Sequence, residues 1–375
     1  MRGGTSKGIF FNSADLPADV QQRDALLLRV IGSPDPYGKH SDGIGGATSS
    51  TSKVVVLSKS QRNGCDIDYL FGAVAIDAPL IDWSGNCGNL SAAVGPAAIH
   101  MGLIDARPDV TQMPIHIWQA NIGQHIVAHV PIADGLPVES GNFQEDGVAF
   151  GAAEIVLEFI ESDIPATALL PTGNIVDILD VPGVGRFEAT LLTAGNPTIF
   201  IDATALGLIG NELPAAVNAD AALLAACEAI RAYAAVVMGL APDVASATRD
   251  RPATPKLAWV AAPVAYTTSA GAMVAAQEID VLARILSMGK LHHAFTGTGA
   301  IALAVAAALP GSIVCKHMRQ PPSDRIRQAV RLGHVSGRLA IGATVRQEKA
   351  GWQMEKAILS RSARVIMSGW AHLPG

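Results

Sequence analysis

The chain has 375 residues, of which 49% are hydrophobic and 16% charged, and its formal net charge is −6. That balance excludes a disordered chain, and the lack of any long basic run excludes nucleic acid as the main partner. The length exceeds one ordinary core and predicts two domains.

Residues 1–11, MRGGTSKGIFF, lack the apolar run of a secretory leader. Ile9 to Phe11 predict a short strand, and a helical cap follows near Ser13. Residues 19–31 carry Leu26, Leu27, Leu28, Val30 and Ile31 and predict a helix. A Gly/Ser/Thr-rich loop, SDGIGGATSSTSK, then leads through Lys53 into the β-branched strand VVVLSKS. DIDYLFGAVAID and APLIDW predict further strands, and Ser91 to Met101 a helix. HIWQANIGQHIVAHVPI and AAEIVLEFI return to strand patterning, and residues 171–185 read as a turn-rich connector.

A second series follows. FEATLLTAGNPTIFIDATAL predicts strand, tight turn, strand, and residues 219–239 a long Ala-rich helix. KLAWVAAP is a strand. EIDVLARILSMGKLHHAFTGTGAIALAVAAAL predicts helix, loop, helix. GRLAIGATVRQ, GWQMEKAILS and SARVIMSGWAHLP are strand-rich. The longest apolar stretch ends at Pro310, short of the roughly 20 residues that span a bilayer, so no membrane contact is expected and the expected location is the cytoplasm.

The two series echo each other. GGTSKGIFFNSADL resembles AGNPTIFIDATAL, and WSGNCGNLSAAVG resembles FTGTGAIALAVA. Aligning Cys87 with Thr296 sets Gly88 on Gly297 and Asn89 on Thr298. A tandem repeat of two similar domains is expected, with the active site between them.

Cys87 lies between two Gly-Asn pairs at the mouth of a helix. A helix start exposes about four backbone N–H groups and a partial positive charge, so it binds carboxylates. The same field favours thiolate over thiol. Gly88 and Gly297 would let a substrate approach the backbone closely. The other cysteines, Cys65, Cys227 and Cys315, are widely spaced and read as small buried residues without disulfide or metal pattern. Lys53 is usual as a solvated residue at a strand entrance. Its polar loop and apolar strand make it a candidate general base, because a lysine deprived of water gives up its proton more readily.

GGTSKG does not have phosphate-loop spacing. Gly3, Gly4 and Ser6 offer donors, and Arg2 could pair with a carboxylate in forked geometry. His334 and Ser336 of GHVSG either reach the cleft or cap strands. His292 and His293 are adjacent and cannot chelate one metal together, so no metal is assigned.

These motifs, with GSPDPYGK, YLFGAVAID, IWQANIG, SMGKLHHA, RQAVRLGHVSG and SRSARVIM, resemble the PrpF family along the whole chain. The resemblance implies cis–trans isomerisation of 2-methylaconitate in the methylcitrate route of propionate breakdown. It also implies an α/β (α+β) fold like that of diaminopimelate epimerase, with two pseudo-symmetric domains, each a sheet wrapped around a central helix. The expected boundaries are 1–185 plus 357–375, and 186–356. By the same resemblance Lys53 and Cys87 are the catalytic pair, and Thr296 stands where an epimerase has its second cysteine. Arg2, Ser6, Asn86, Gly88, Asn89, Thr296, Gly297, Thr298 and Ser336 are the expected substrate-binding residues. No cofactor is implied; the partners implied are a small tricarboxylate substrate and an aconitase-like dehydratase in the pathway.

Two other functions stand beside this one: a 4-oxalomesaconate-type tautomerase, and a non-catalytic accessory of an aconitase-like enzyme. Members of the family carry residues before MRGGTSKG, so an open sheet edge and a weakly anchored Arg2 loop are expected here. The sequence leaves open whether the chain forms a homo-oligomer, which acid it prefers, and which of Lys53 and Cys87 is the base.

Overall fold

A computed structural model describes residues 1–160, 169–320, 328–349 and 351–373. The chain divides into two compact units, Met1–Phe159 with Ser360–Gly375, and Ile160–Leu359. The expected first boundary was residue 185; residues 177–181 instead form a strand paired antiparallel with Gly185–Ala194 inside the second unit. What reads as a connector is thus a hairpin.

In the first unit the strand Ile9–Asn12 runs parallel to Lys53–Lys59, which pairs antiparallel with Ile67–Val74. Ile67–Val74 runs parallel to Gln112–Gln119, which pairs antiparallel with Gln124–Ala133. Between Ile9–Asn12 and Lys53–Lys59 the chain forms the helix Val20–Ile31, capped by the Asp19 side chain and closed by Gly32 in the left-handed region, φ 86°. The helix Gly88–His100 is buried on all sides through Ile99. It packs against Arg2–Gly3, Gln124–Ala133 and Ala363–Arg364. Its small residues permit this: a Cβ at Gly95 would lie 2.7 Å from Val130.

The second unit repeats this order. Asn196–Asp202 runs parallel to Lys256–Ala261, which pairs antiparallel with Val281–Ser287. That strand runs parallel to Gln328–His334, which pairs antiparallel with Gly337–Glu348. The helix Gly297–Ala308 is buried throughout and packs on Gly185–Ala194 and Gly337–Glu348. Both units also place a short capped turn after the first strand, with Asn12 bonding Ala14 and Asp202 bonding Thr204. The repeat extends to a feature the sequence comparison missed. Thr-Ser-Lys at 51–53 and Thr-Pro-Lys at 254–256 set Lys53 and Lys256 as the first residues of equivalent strands.

The largest departure from expectation is EIDVLARILS, read as helix. Val281–Ser287 is a strand, and all seven of its residues are buried. A strand covered on both faces loses the apolar–polar alternation that marks most strands, so its composition mimics a buried helix. At the other end, the strand expected from SARVIMSGWAHLP is limited to Ala363–Arg364. Among the described residues, no helix is long and apolar enough to cross a membrane.

Candidate active site

The Arg2 loop is firmly held, contrary to expectation. Arg2–Gly3 pairs with Ser6–Lys7 on one side and with Ala363–Arg364 on the other. Nη1 of Arg2 donates to the Gly4 and Ser362 carbonyls at 3.1 and 3.0 Å and to the Ser362 hydroxyl at 3.0 Å. Burial draws the Arg2 guanidinium below its ordinary value, and Glu145 opposes that shift. The loop lies on the start of the Gly88–His100 helix, where a Cβ at Gly3 would stand 2.7 Å from the Asn89 carbonyl oxygen.

Three consecutive residues of this segment connect the two catalytic candidates. The Ser6 hydroxyl lies 3.9 Å from Sγ of Cys87. Lys7 donates its N–H to the Ser50 carbonyl at 2.9 Å, which ties the segment to the loop before Lys53. Gly8 packs on Lys53 itself; a Cβ there would lie 3.4 Å from that of Lys53. Two residues of extended chain span about 7 Å, so one short segment lies against both Cys87 and the Cβ of Lys53.

Lys53 is buried, at 7% exposure. Its Nζ stands 5.0 Å from the centroid of the Phe71 ring. The preceding loop is braced by His40, whose Nδ1 accepts from Ala47 N–H and meets the Ser52 hydroxyl, both at 3.3 Å. Lys256 differs from its repeat partner: its Nζ donates to the Ala253 carbonyl at 3.2 Å.

Cys87 is the residue before the helix, with extended backbone and no side-chain capping bond. The first N–H groups of a helix left uncapped by a side chain can meet an anion. Its carbonyl accepts from the Ser91 hydroxyl at 3.1 Å and the Tyr69 hydroxyl at 3.4 Å. Asn86 and Asn89 are buried beside it. The equivalent position in the second unit, Thr296, caps its own helix by accepting from Gly299 N–H at 3.2 Å. Thr298 accepts from Asn196 Nδ2 at 3.0 Å, as Ser6 accepts from Asn89 in the first unit. Gly297 opens that helix, and the Ser336 hydroxyl donates to the His293 carbonyl. The structure therefore gathers Arg2, Ser6, Lys53, Asn86, Cys87, Gly88 and Asn89 in the first unit. Thr296, Gly297, Thr298 and Ser336 belong to the second.

Sequence reasoning assigned no part to Arg361 or Glu145. Both are buried, and Arg361 donates through Nε to Asn89 Oδ1 at 2.9 Å. The only signal was the occurrence of Arg361 within SRSARVIM, far along the chain from Cys87. Among the described residues, no group of three or more His, Cys, Asp or Glu side chains could hold a metal ion. His292 and His293 stack at 4.7 Å between ring centroids.

A model of the family described as PrpF protein matches residues 1–374. A 2-methyl-aconitate isomerase of Shewanella oneidensis is 54% identical over 384 aligned positions, covering 100% of this chain and 96% of that protein. The crystal structure of a methylitaconate-delta-isomerase superposes with a TM-score of 0.72 at 33% identity, over 99% of this chain and 97% of the other. A probable proline racemase from Agrobacterium radiobacter, 12% identical, superposes at 0.51 over 98% of this chain and 92% of its own, which places the fold among the racemase and epimerase type.

Proposed function

The chain belongs to the PrpF family, and from that premise we propose that it is an isomerase of 2-methylaconitate, working by allylic proton transfer between Lys53, Cys87 and the substrate. One of the pair removes a proton from the carbon next to the double bond. The resulting carbanion is delocalised, its central bond loses double-bond character, and rotation becomes easy. The other group returns a proton and fixes the new isomer. Hydrogen-bond donors at the start of the Gly88–His100 helix, with Arg2, hold the carboxylates and the charge that develops between the two steps.

The observation that carries this reading is the run Ser6–Lys7–Gly8, whose members touch Cys87, the loop before Lys53, and Lys53 in turn. Burial of both groups keeps water from protonating the carbanion in place of the returning acid. The chemistry calls for no cofactor. The biological setting we propose is the methylcitrate route of propionate breakdown in the cytoplasm, next to an aconitase-like dehydratase.

The test is an NMR time course of the purified protein in deuterated water, with 2-methylaconitate and 4-oxalomesaconate supplied separately. Rapid cis–trans conversion of 2-methylaconitate with deuterium incorporation is expected. Faster turnover of 4-oxalomesaconate makes the protein a tautomerase, and no exchange into either acid leaves only an accessory role.

A further inference from the structure

We infer that Arg361 is a positioning residue for this reaction: it fixes which way the Asn89 amide faces, and so leaves Ser6 a proton to share with the sulfur of Cys87. The inference rests on the role of Cys87 proposed above. Arg361 is 2% exposed. Its Nε donates at 2.9 Å to the Asn89 side chain. A guanidinium has no acceptor, so the amide atom facing it must be the oxygen. The amide nitrogen is thereby turned the other way, where it donates to Thr5 Oγ1 at 2.9 Å and Ser6 Oγ at 3.5 Å.

Ser6 thus accepts from Asn89 and keeps its own hydrogen. Its oxygen is 3.9 Å from Cys87 Sγ. By rotating, a hydroxyl can accept from a thiol or donate to a thiolate, and an acid–base group passes through both states in each cycle. With the Asn89 amide reversed, its oxygen would compete with the sulfur for the Ser6 proton. A neutral side chain at 361 would impose no such direction.

Arg361 is also held in place from behind. Glu145 Oε1 lies 3.2 Å from Nε, a charge contact rather than an aligned hydrogen bond, because that N–H points to Asn89. Glu145 Oε2 accepts from the Ser362 N–H at 3.2 Å and hydroxyl at 3.1 Å, and Ser362 accepts from Arg2. Burial draws the guanidinium below its ordinary value, and the negative charge of Glu145 opposes that shift.

The experiment measures Cys87 alkylation by iodoacetamide against pH, resolved by peptide mass spectrometry on the full chain, beside kcat and KM. Arg361→Met with Glu145→Gln removes the buried pair without leaving a lone charge. Asn89→Asp keeps an acceptor for Arg361 and turns a second oxygen toward Ser6, as the reversed amide would, and it carries the test if the double variant does not fold. Both are expected to slow alkylation at neutral pH about tenfold, equivalent to moving its pH profile up by about one unit. We expect kcat to fall at least about tenfold in each, with KM of the Arg361→Met, Glu145→Gln variant changed less than about threefold. A folded variant with the parent's alkylation profile overturns the inference. A shifted profile with unchanged kcat instead faults the catalytic reading of Cys87, so the two failures are told apart.

Discussion

Gly3→Ala should damage both stability and turnover, and the size of the effect follows from three distances. The added Cβ would meet the Asn89 carbonyl oxygen at 2.7 Å, the Leu90 Cα at 3.0 Å and the Ala93 Cβ at 3.1 Å. Carbon atoms prefer about 3.5–4.0 Å, so the strand and the helix must part by roughly half an ångström. Two of the three obstacles are backbone in the first turn of a buried helix, which cannot rotate away. Overpacking of this kind costs about 1–3 kcal/mol, or about 4–8 °C in melting temperature for a loss of 2 kcal/mol in a unit of this size. The same parting moves Ser6 from Cys87, and misplacement near 1 Å costs about 100-fold in rate, so turnover should fall about ten- to hundredfold. Gly342→Ala is the comparator: its Cβ would meet only Ile358, at 3.8 Å, and a change within about 0.5 kcal/mol is expected. Calorimetric melting and an NMR rate assay on both variants decide the matter. If Gly3→Ala melts within about 1 °C of the parent and turns over normally, the docking of this strand on the helix start is wrong.

Three further outcomes are expected. In the second unit, burial works to raise the Asp280 carboxyl, but hydrogen bonds from Arg331 override it and hold the group below its usual range. A depressed folded value stabilises fully above about pH 4 and is lost as pH falls through that value. Asp280→Asn should therefore lower stability at neutral pH and flatten the acid limb in urea titrations; an unchanged limb would contradict the pairing. Burial, with Asp220 and Glu228 nearby, pushes the Cys227 thiol up to about 12, so peptide mapping should find it unalkylated in the native protein and labelled only after denaturation. Tyr69→Phe removes a 3.4 Å bond to the Cys87 carbonyl, which keeps its 3.1 Å bond from Ser91. Denaturant unfolding should show a loss under about 1 kcal/mol, and a larger loss would mean that the tyrosine carries this helix start.

What the sequence disclosed and what it concealed divide along physical lines. The strands at Lys53–Lys59 and Asn196–Asp202 were legible because β-branched and aromatic runs end at turn residues. The mouth of the Gly88–His100 helix was legible because glycine and asparagine punctuate it. The tandem order could be seen because both central helices need the same small residues to be buried all round. Val281–Ser287 was misread because full burial erases periodicity; even its Arg284 is buried completely, with Nε donating to the Glu212 carbonyl at 2.8 Å. The network behind Cys87 was invisible for another reason. Arg2, Asn89, Glu145 and Arg361 meet only through long-range folding, and no local spacing encodes such a meeting.

The central claim is that one amine and one thiol share the proton transfer. Its most direct test is the rate of deuterium incorporation into 2-methylaconitate by Lys53→Ala and Cys87→Ala, with melting recorded for each. A positioned acid or base contributes about 10²- to 10⁴-fold, so both variants should lose at least about a hundredfold in exchange and isomerisation while remaining folded. Exchange at the parent's rate in either variant would remove that residue from the mechanism and contradict the account.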